Sequence, residues 1–173
     1  MGKAQLRAEI RARRAIGHVP GADFVPRVLA RIPARSRVCC YVGLPGEPPT
    51  GDVVEALLAR GDAVFLPVAE PDRQMNWVNA AGSEPWAAWG LPGQPACSAD
   101  RVGLPSIEVV VVPALAVTLN GQRLGQGGGY YDRFLPQQPQ ARTLALVWSD
   151  EIVDEVFAQP HDVHIDEWVA ADG

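Results

Sequence analysis

No stretch of the sequence approaches the roughly 20 consecutive apolar residues of a membrane-spanning helix, although 47% of its residues are hydrophobic. Cysteine is scarce. Cys39 and Cys40 are neighbours, Cys97 stands alone, and no CxxC pair exists. This argues against a zinc site built on thiolates and fits a reducing compartment, with the thiols read as small buried hydrophobes. Lysine and arginine are missing altogether after Arg142, and the chain carries a net charge of −5. An acidic protein is a poor candidate for broad nucleic-acid binding. Internal repeats and low-complexity tracts are also lacking, and residues 1–173 are expected to form one domain with a real core. The opening MGKAQLRAEIRARR is basic with no apolar stretch behind it, and Glu9 and the lack of serine argue against an organelle presequence. The expectation is a soluble, cytoplasmic monomer that binds neither nucleic acid nor membrane.

What is present is unevenly distributed. Up to Arg37 the chain carries a charge of +7, and the remainder carries −12. A basic amino-terminal segment folding back on an acidic body, with a small anionic ligand between them, accounts for this. Leu6, Ile10 and Ile16 mark a helix over 3–16, stopped by Gly17 and Pro20. A second short helix is expected at 23–32, and a third after Thr50, which reads as its cap, closed by Gly61. Strands are expected at 37–43, 63–69, from Met75, through SIEVVVVPA, at TLALVWS and at HDVHIDEWVA, with a helix at DEIVDEVFA. Residues from Gly82 to Pro105 read as a long ordered loop. Strands alternating with helices predict a three-layer α/β/α fold with a mostly parallel sheet. SIEVVVVPA, apolar on both faces, takes its centre.

Directly after that central strand comes RLGQGGGYYDRFL (123–135). Open α/β sheets place ligands at the carboxyl ends of their strands. Gly125, Gly127, Gly128 and Gly129 let the backbone bend and approach a ligand with no Cβ in the way. Successive N–H groups entering the next helix form an anion site. Arg123 adds a fork of donors suited to phosphate, and Asp132 suits a magnesium ion on phosphate oxygens. A plain flexible turn is the alternative reading. Neither the G-x-x-x-x-G-K-[ST] loop nor G-x-G-x-x-G is present, the latter because Tyr130 stands at the sixth position.

The string GQRLGQGGGYYD, from Gly121 to Asp132, closely resembles the signature of the 5-formyltetrahydrofolate cyclo-ligase family. KAQLR at 3–7 is similar to the family's Lys-x-x-x-Arg, GEPPT with Glu47 and Thr50 to its Glu-x-x-Thr, and PHDVHID to its His-Asp segment. LPV at 66–68, Met75 and WGLPGQP at 89–95 also have counterparts, so the resemblance spans nearly the whole chain. The chain departs from the pattern at Val117 and Thr118, where Phe-Asp is usual, at Gly128, often lysine, and at Ala170, commonly threonine.

The resemblance implies a NagB/RpiA/CoA-transferase-like fold and an ATP- and magnesium-dependent reaction. In it, the γ-phosphate passes to the formyl oxygen of 5-formyltetrahydrofolate, the neighbouring amine attacks the activated carbon, and phosphate leaves to give 5,10-methenyltetrahydrofolate. It implies that Lys3, Arg7, Arg123, Leu124, Gly125, Gln126, Gly127, Gly128, Gly129, Tyr130 and Tyr131 hold ATP. Glu47, Val42, Met75, Trp89 and Tyr130 would border the folate, with Glu47 on the pterin. Arg123, Tyr131 and Asp132 would carry the chemistry, and Asp132 with Asp162 the magnesium.

Lys3, Arg7, Arg11 and Arg14 fall on one helical stripe, whose spacing alone fits a solvated face or an anion-binding one; the resemblance moves only Lys3 and Arg7 toward ATP. On a strand, Asp162, His164 and Asp166 share a face while His161 points away, which disfavours a transition-metal site. Trp77, Trp86 and Trp89 have the ring area to stack on a pterin and equally to fill a core. Two other readings stand beside the ligase. One is a non-catalytic folate- or nucleotide-binding homologue that kept the fold, the other an enzyme of the same superfold acting on phosphosugars.

Overall fold

A computed structural model describes residues 2–70, 74–81, 100–160 and 162–173. The helix read from the amino-terminal apolar stripe is α1 (Lys3–Ile16), which buries Leu6, Ile10 and Arg14 and ends at Gly17. α2 spans Phe24–Ala30 and α3 spans Gly51–Arg60, the latter closed by Gly61 in the left-handed conformation. Thr50 occupies the expected cap position, but its hydroxyl caps nothing; it accepts the Gly43 N–H at 2.8 Å and ties the preceding loop to the helix start.

Six strands form the main sheet: β1 (Arg37–Cys39), β2 (Ala63–Ala69), β3 (Met75–Asn79), β4 (Val109–Pro113), β7 (Arg142–Val147) and β8 (Glu167–Ala170). Their order is β3-β2-β1-β4-β7-β8. Every pairing is parallel except β2–β3, which closes one edge in the antiparallel sense. β4 has no exposed residue and sits inside the sheet, as its uninterrupted valines require.

Successive side chains of a strand alternate between faces, and the core divides accordingly. Val38, Val64, Leu66, Val109, Val111, Leu144 and Leu146 pack under α2 and α3. Cys39, Phe65, Trp77, Val110, Val112, Ala145 and Val147 pack on the opposite side under α4 (Tyr130–Phe134), Ile107 and Ile165. The layered α/β architecture expected from the alternation of elements is thus present, with longer helices on one face and the short α4 with irregular chain on the other.

Three local readings are corrected. Residues 150–158 are not a helix: Ser149–Glu151 make a single 3-10 turn, after which Ile152 bridges to Val117. The final strand is only β8, since Asp166 is withdrawn to accept hydrogen bonds from the Thr143 backbone N–H and hydroxyl, at 2.7 and 2.8 Å. Asp162, His164 and Asp166 therefore share no strand face. Between β4 and the glycine loop lies an unforeseen hairpin, β5 (Ala116–Val117) with β6 (Arg123–Leu124). Gly121 turns it at φ 85°, where a Cβ would come within 2.5 Å of the Ile165 carbonyl oxygen. A side chain has no room there.

Candidate active site

The hairpin delivers Arg123 at the carboxyl end of β4. The residue is 6% exposed, and its guanidinium donates to the Pro113 carbonyl at 3.0 Å and to Asp132 Oδ1 at 2.8 Å. Arg123 is therefore a strand residue, pinned to the end of the central strand on one side and to the first turn of α4 on the other. The glycine loop runs between these anchors. Gly127 has φ 104°, in the region that L side chains rarely adopt.

α1 lies against this loop. Arg7 Nε donates to the Gly125 carbonyl at 2.9 Å, and Arg11 Nη2 donates to the Gln126 carbonyl at 3.1 Å and to Gln126 Oε1 at 3.0 Å. Lys3 Nζ is paired with Asp162. Arg14 turns inward and is only 7% exposed. It meets Glu151 through Nε and Nη2, at 2.6 and 2.9 Å, donates to the Ala114 carbonyl at 2.7 Å, and lies 3.5 Å from Glu47 Oε1. Burial, the largest single influence, opposes its charge, but the hydrogen bond and charge of Glu151 together with the nearby Glu47 and Tyr41 outweigh it and leave its pKa raised. The basic stripe is neither a solvated face nor a uniform ligand face. It is the brace that holds the loop, and Arg11 and Arg14 belong to the site's support.

Glu47 enters from the opposite wall, in the proline-stiffened loop after β1, and is 9% exposed. Its Oε2 accepts the Leu44 N–H at 2.9 Å, and its Oε1 accepts Gln126 Nε2 at 2.7 Å. The loop itself is secured by Trp148, whose Nε1 donates to the Gly46 carbonyl at 2.9 Å.

Between these walls lies a cavity of about 600 Å³, ample for a small organic ligand. Lys3, Arg7, Val42, Glu47, Met75, Arg123, Gly125, Gln126, Gly127, Gly128, Gly129, Tyr130, Tyr131, Asp132 and Asp162 all line it. Leu124 does not. Its side chain is 1% exposed and packs with Leu6, Ile10 and Leu115 under α1, because alternation along β6 sends it away from Arg123. Trp89 and Trp86 lie outside the described residues, as does Cys97. Trp77 is a core residue, 4.7 Å from the ring of Phe134.

Tyr41, Ala69, Pro113 and Gln159, none of them singled out from the sequence, also border the cavity, as does Pro67 of the LPV segment. The residue alternating with Cys40 on β1's continuation was the available signal for Tyr41. Burial pushes the Tyr41 and Tyr131 phenols well above their ordinary pKa, so both are neutral donors at physiological pH. The buried Cys40 thiol is pushed up to about 12 and is inert. Two buried donors at the cavity have no partner among the described residues, the Tyr131 hydroxyl and Arg123 Nε. Such groups are costly unless a ligand or water satisfies them.

A model of the 5-formyltetrahydrofolate cyclo-ligase family matches residues 2–171. The chain belongs to that family. It is 39% identical over 135 residues to the 5-formyltetrahydrofolate cyclo-ligase of Mycolicibacterium smegmatis, covering 73% of this chain and 69% of the relative. To the Escherichia coli enzyme of that name it is 31% identical over 132 residues, 73% of this chain and 72% of the relative. Among solved structures, the 5,10-methenyltetrahydrofolate synthetases of Mycoplasma pneumoniae and Aquifex aeolicus each superpose with a TM-score of 0.75. They share 19% and 22% identity and cover 97% and 100% of this chain, and 98% and 91% of their own. The α/β fold with its mostly parallel sheet is thus the fold of these cyclo-ligase-type enzymes.

The family signature acquires a physical meaning in this chain. Its arginine closes the end of the central strand, its glycines form the cavity floor, and its aspartate holds the arginine. Of the departures from the signature, Val117 and Thr118 lie in the β5–β6 hairpin and are not among the cavity's lining residues; only Gly128 is.

Proposed function

We propose that this chain converts 5-formyltetrahydrofolate to 5,10-methenyltetrahydrofolate with consumption of ATP, and that the cavity between Glu47 and the glycine loop is where it does so. The observation that carries this reading is the juxtaposition of two unlike walls. One presents a rigid carboxylate, and the other presents glycine backbone, Lys3, Arg7 and Arg123. A carboxylate suits the adjacent N–H donors of a pterin, and the opposite wall suits a polyphosphate.

In this scheme the γ-phosphoryl group passes from ATP to the formyl oxygen, leaving ADP. The neighbouring amine of the folate attacks the formyl carbon, and the carbon–oxygen bond breaks with that oxygen leaving as part of inorganic phosphate. The chain's task is to hold the two substrates in line. Lys3 and Arg7 would bind phosphate oxygens, which their place in the cavity lining supports. Arg123 Nε and the Tyr131 hydroxyl, buried and without a partner among the described residues, would supply donors for charge that develops on transfer.

Magnesium fits this donor set as an ion carried on nucleotide phosphates. Asp132 and Asp162 are carboxylates in the cavity, and among the described residues no group of three metal-ligating side chains exists. Magnesium is commonly held by one or two carboxylates, with phosphates and water completing its shell. Asp132 and Asp162 would hold it, and it would supply charge neutralisation on the transferring phosphoryl group.

The direct test mixes the protein with 5-formyltetrahydrofolate and magnesium-ATP and follows methenyl absorbance and ADP together. Equal amounts of both products are expected, with neither formed when ATP is omitted. A folded protein that yields no methenyl product overturns the assignment.

A further inference from the structure

We propose that Gln126 is a positioning residue that couples the nucleotide loop to the folate-side carboxylate, so that occupancy of the loop tightens folate binding. The inference rests on the functional reading above and extends it to how the two halves of the site communicate.

The coupling element is a three-residue chain, Arg11–Gln126–Glu47. Gln126 Nε2 donates to Glu47 Oε1 at 2.7 Å, while Arg11 Nη2 donates to Gln126 Oε1 at 3.0 Å. A guanidinium can only donate and an ionised carboxylate can only accept. Placed between the two, the Gln126 amide has one possible orientation, oxygen toward Arg11 and nitrogen toward Glu47. The second bond from Arg11, to the Gln126 carbonyl at 3.1 Å, fixes the backbone of the same residue. Gln126 thus has its main chain in the glycine loop and its side chain on the opposite wall.

At this oxygen the carboxylate's other partner among the described residues is Arg14, in a buried ion pair. Glu47 Oε1 is 3.5 Å from Arg14, and Oε2 is taken by the Leu44 N–H within its own loop. The Glu47–Gln126 bond is therefore the direct hydrogen bond between the Glu47 loop and the phosphate-side loop among the described residues. Leu44, Glu47 and Gln126 also line both the main cavity and an adjoining one of about 440 Å³, so the bond stands in the partition between them.

Gln126 lies between Gly125 and Gly127, and with the loop empty its backbone is held by side chains of α1, through Arg7 on the Gly125 carbonyl and Arg11 on the Gln126 carbonyl. A nucleotide seated on the loop adds its own contacts to that backbone and so further restricts the reach of the amide to Glu47. Ordering already achieved by one ligand need not be repeated for the next, which makes binding of the two cooperative. The coupling is reciprocal: folate must tighten nucleotide binding by the same factor. Losing a charge-assisted hydrogen bond of this kind corresponds to roughly a tenfold change in affinity.

The test is a binding cycle by titration calorimetry with 5-formyltetrahydrofolate and the non-hydrolysable β,γ-imido analogue of ATP with magnesium, each alone and in the presence of the other. The native protein is expected to bind folate several-fold tighter when the analogue is present. Gln126→Met keeps length and volume but has no donor. Its folate affinity should become nearly independent of the analogue, whatever change the substitution makes in the affinity for the analogue alone. Gln126→Glu sets a second carboxylate against Glu47 and should weaken folate binding further than Gln126→Met. A role confined to local packing would weaken both ligands together in Gln126→Met and keep the coupling factor, which overturns the proposal. Undiminished coupling in Gln126→Met, or none in the native protein, also overturns it and leaves the functional reading standing. A native protein that binds no folate at all overturns both.

Discussion

Arg14 and Glu151, 137 residues apart, meet in the interior through two hydrogen bonds of 2.6 and 2.9 Å, and Glu151 Oε2 also accepts the Trp148 N–H at 3.0 Å. The pair joins α1 to the segment after β7, beside the carboxylate of Glu47. Arg14→Met strips the partner from a carboxylate that is 1% exposed. Breaking a buried pair from one side costs about 3–5 kcal/mol. Urea unfolding should show that loss, and the double variant Arg14→Met with Glu151→Leu should recover part of it. A single variant as stable as the native protein would mean that the pair holds nothing together.

Lys3→Ala with Arg7→Ala should raise the Michaelis constant for ATP more than that for the folate. Both side chains line the cavity, and Arg7 also holds the Gly125 carbonyl. Contacts that strengthen in the transition state affect turnover too, so the maximal rate is expected to fall as well. Steady-state kinetics with each substrate varied decides it, and an unchanged ATP dependence returns these residues to scaffolding.

Asp132→Asn keeps the shape of the first turn of α4 while removing its charge. Most turnover should vanish, and the dependence on magnesium concentration should shift to higher values, with the circular dichroism spectrum unchanged. Near-normal rates at low magnesium would leave Asp132 only its bond to Arg123.

Glu47→Gln is the sharpest probe of the folate wall. Both carboxylate oxygens accept protein N–H groups, from Leu44 and from Gln126. Whichever way the new amide turns, its nitrogen faces a donor. A broken pairing in a closed site costs about 1–3 kcal/mol, one to two orders of magnitude in folate affinity. ATP affinity measured separately should hardly move. Retained folate affinity with weakened ATP affinity would mean that the two walls are assigned the wrong way round.

Gly127→Ala adds a methyl group whose nearest neighbour in the protein would be 3.6 Å away, at Arg7 Cζ, so the core has room for it. The conformation at φ 104° does not suit alanine, at a cost of about 1–2 kcal/mol. Nucleotide binding should weaken while thermal unfolding stays within a few degrees. Unaltered ATP affinity by calorimetry would make the loop a turn and nothing more.

Much of the fold was legible because its signals are local. The apolar spacing of Leu6 and Ile10, with Gly17 behind them, sets α1, and the run of valines sets β4 at the centre of the sheet. Residues 150–158 were misleading for a physical reason. Ile152 packs with one cluster, Val153 and Val156 with another, and Glu151 turns inward to Arg14, so the helical spacing is divided among three different neighbours. The candidate site was legible as a set of residue types, because a known signature carries them. The bracing of the glycine loop by Arg11 and the Gln126–Glu47 bond were not, since each joins positions far apart in sequence.

The same long separations bear on how the protein acquires its site during synthesis. α1 emerges first, yet Arg7 waits 118 residues for Gly125 and Arg14 waits 137 for Glu151. A helix of 14 residues with four like charges on successive turns has little reason to persist alone in water. Closing such large loops is slow and is rewarded only at the end. The nascent chain therefore cannot complete this cavity until β7 and the segment through Asp162 have been made, and ligands for this pocket can assist only the last stage of its folding.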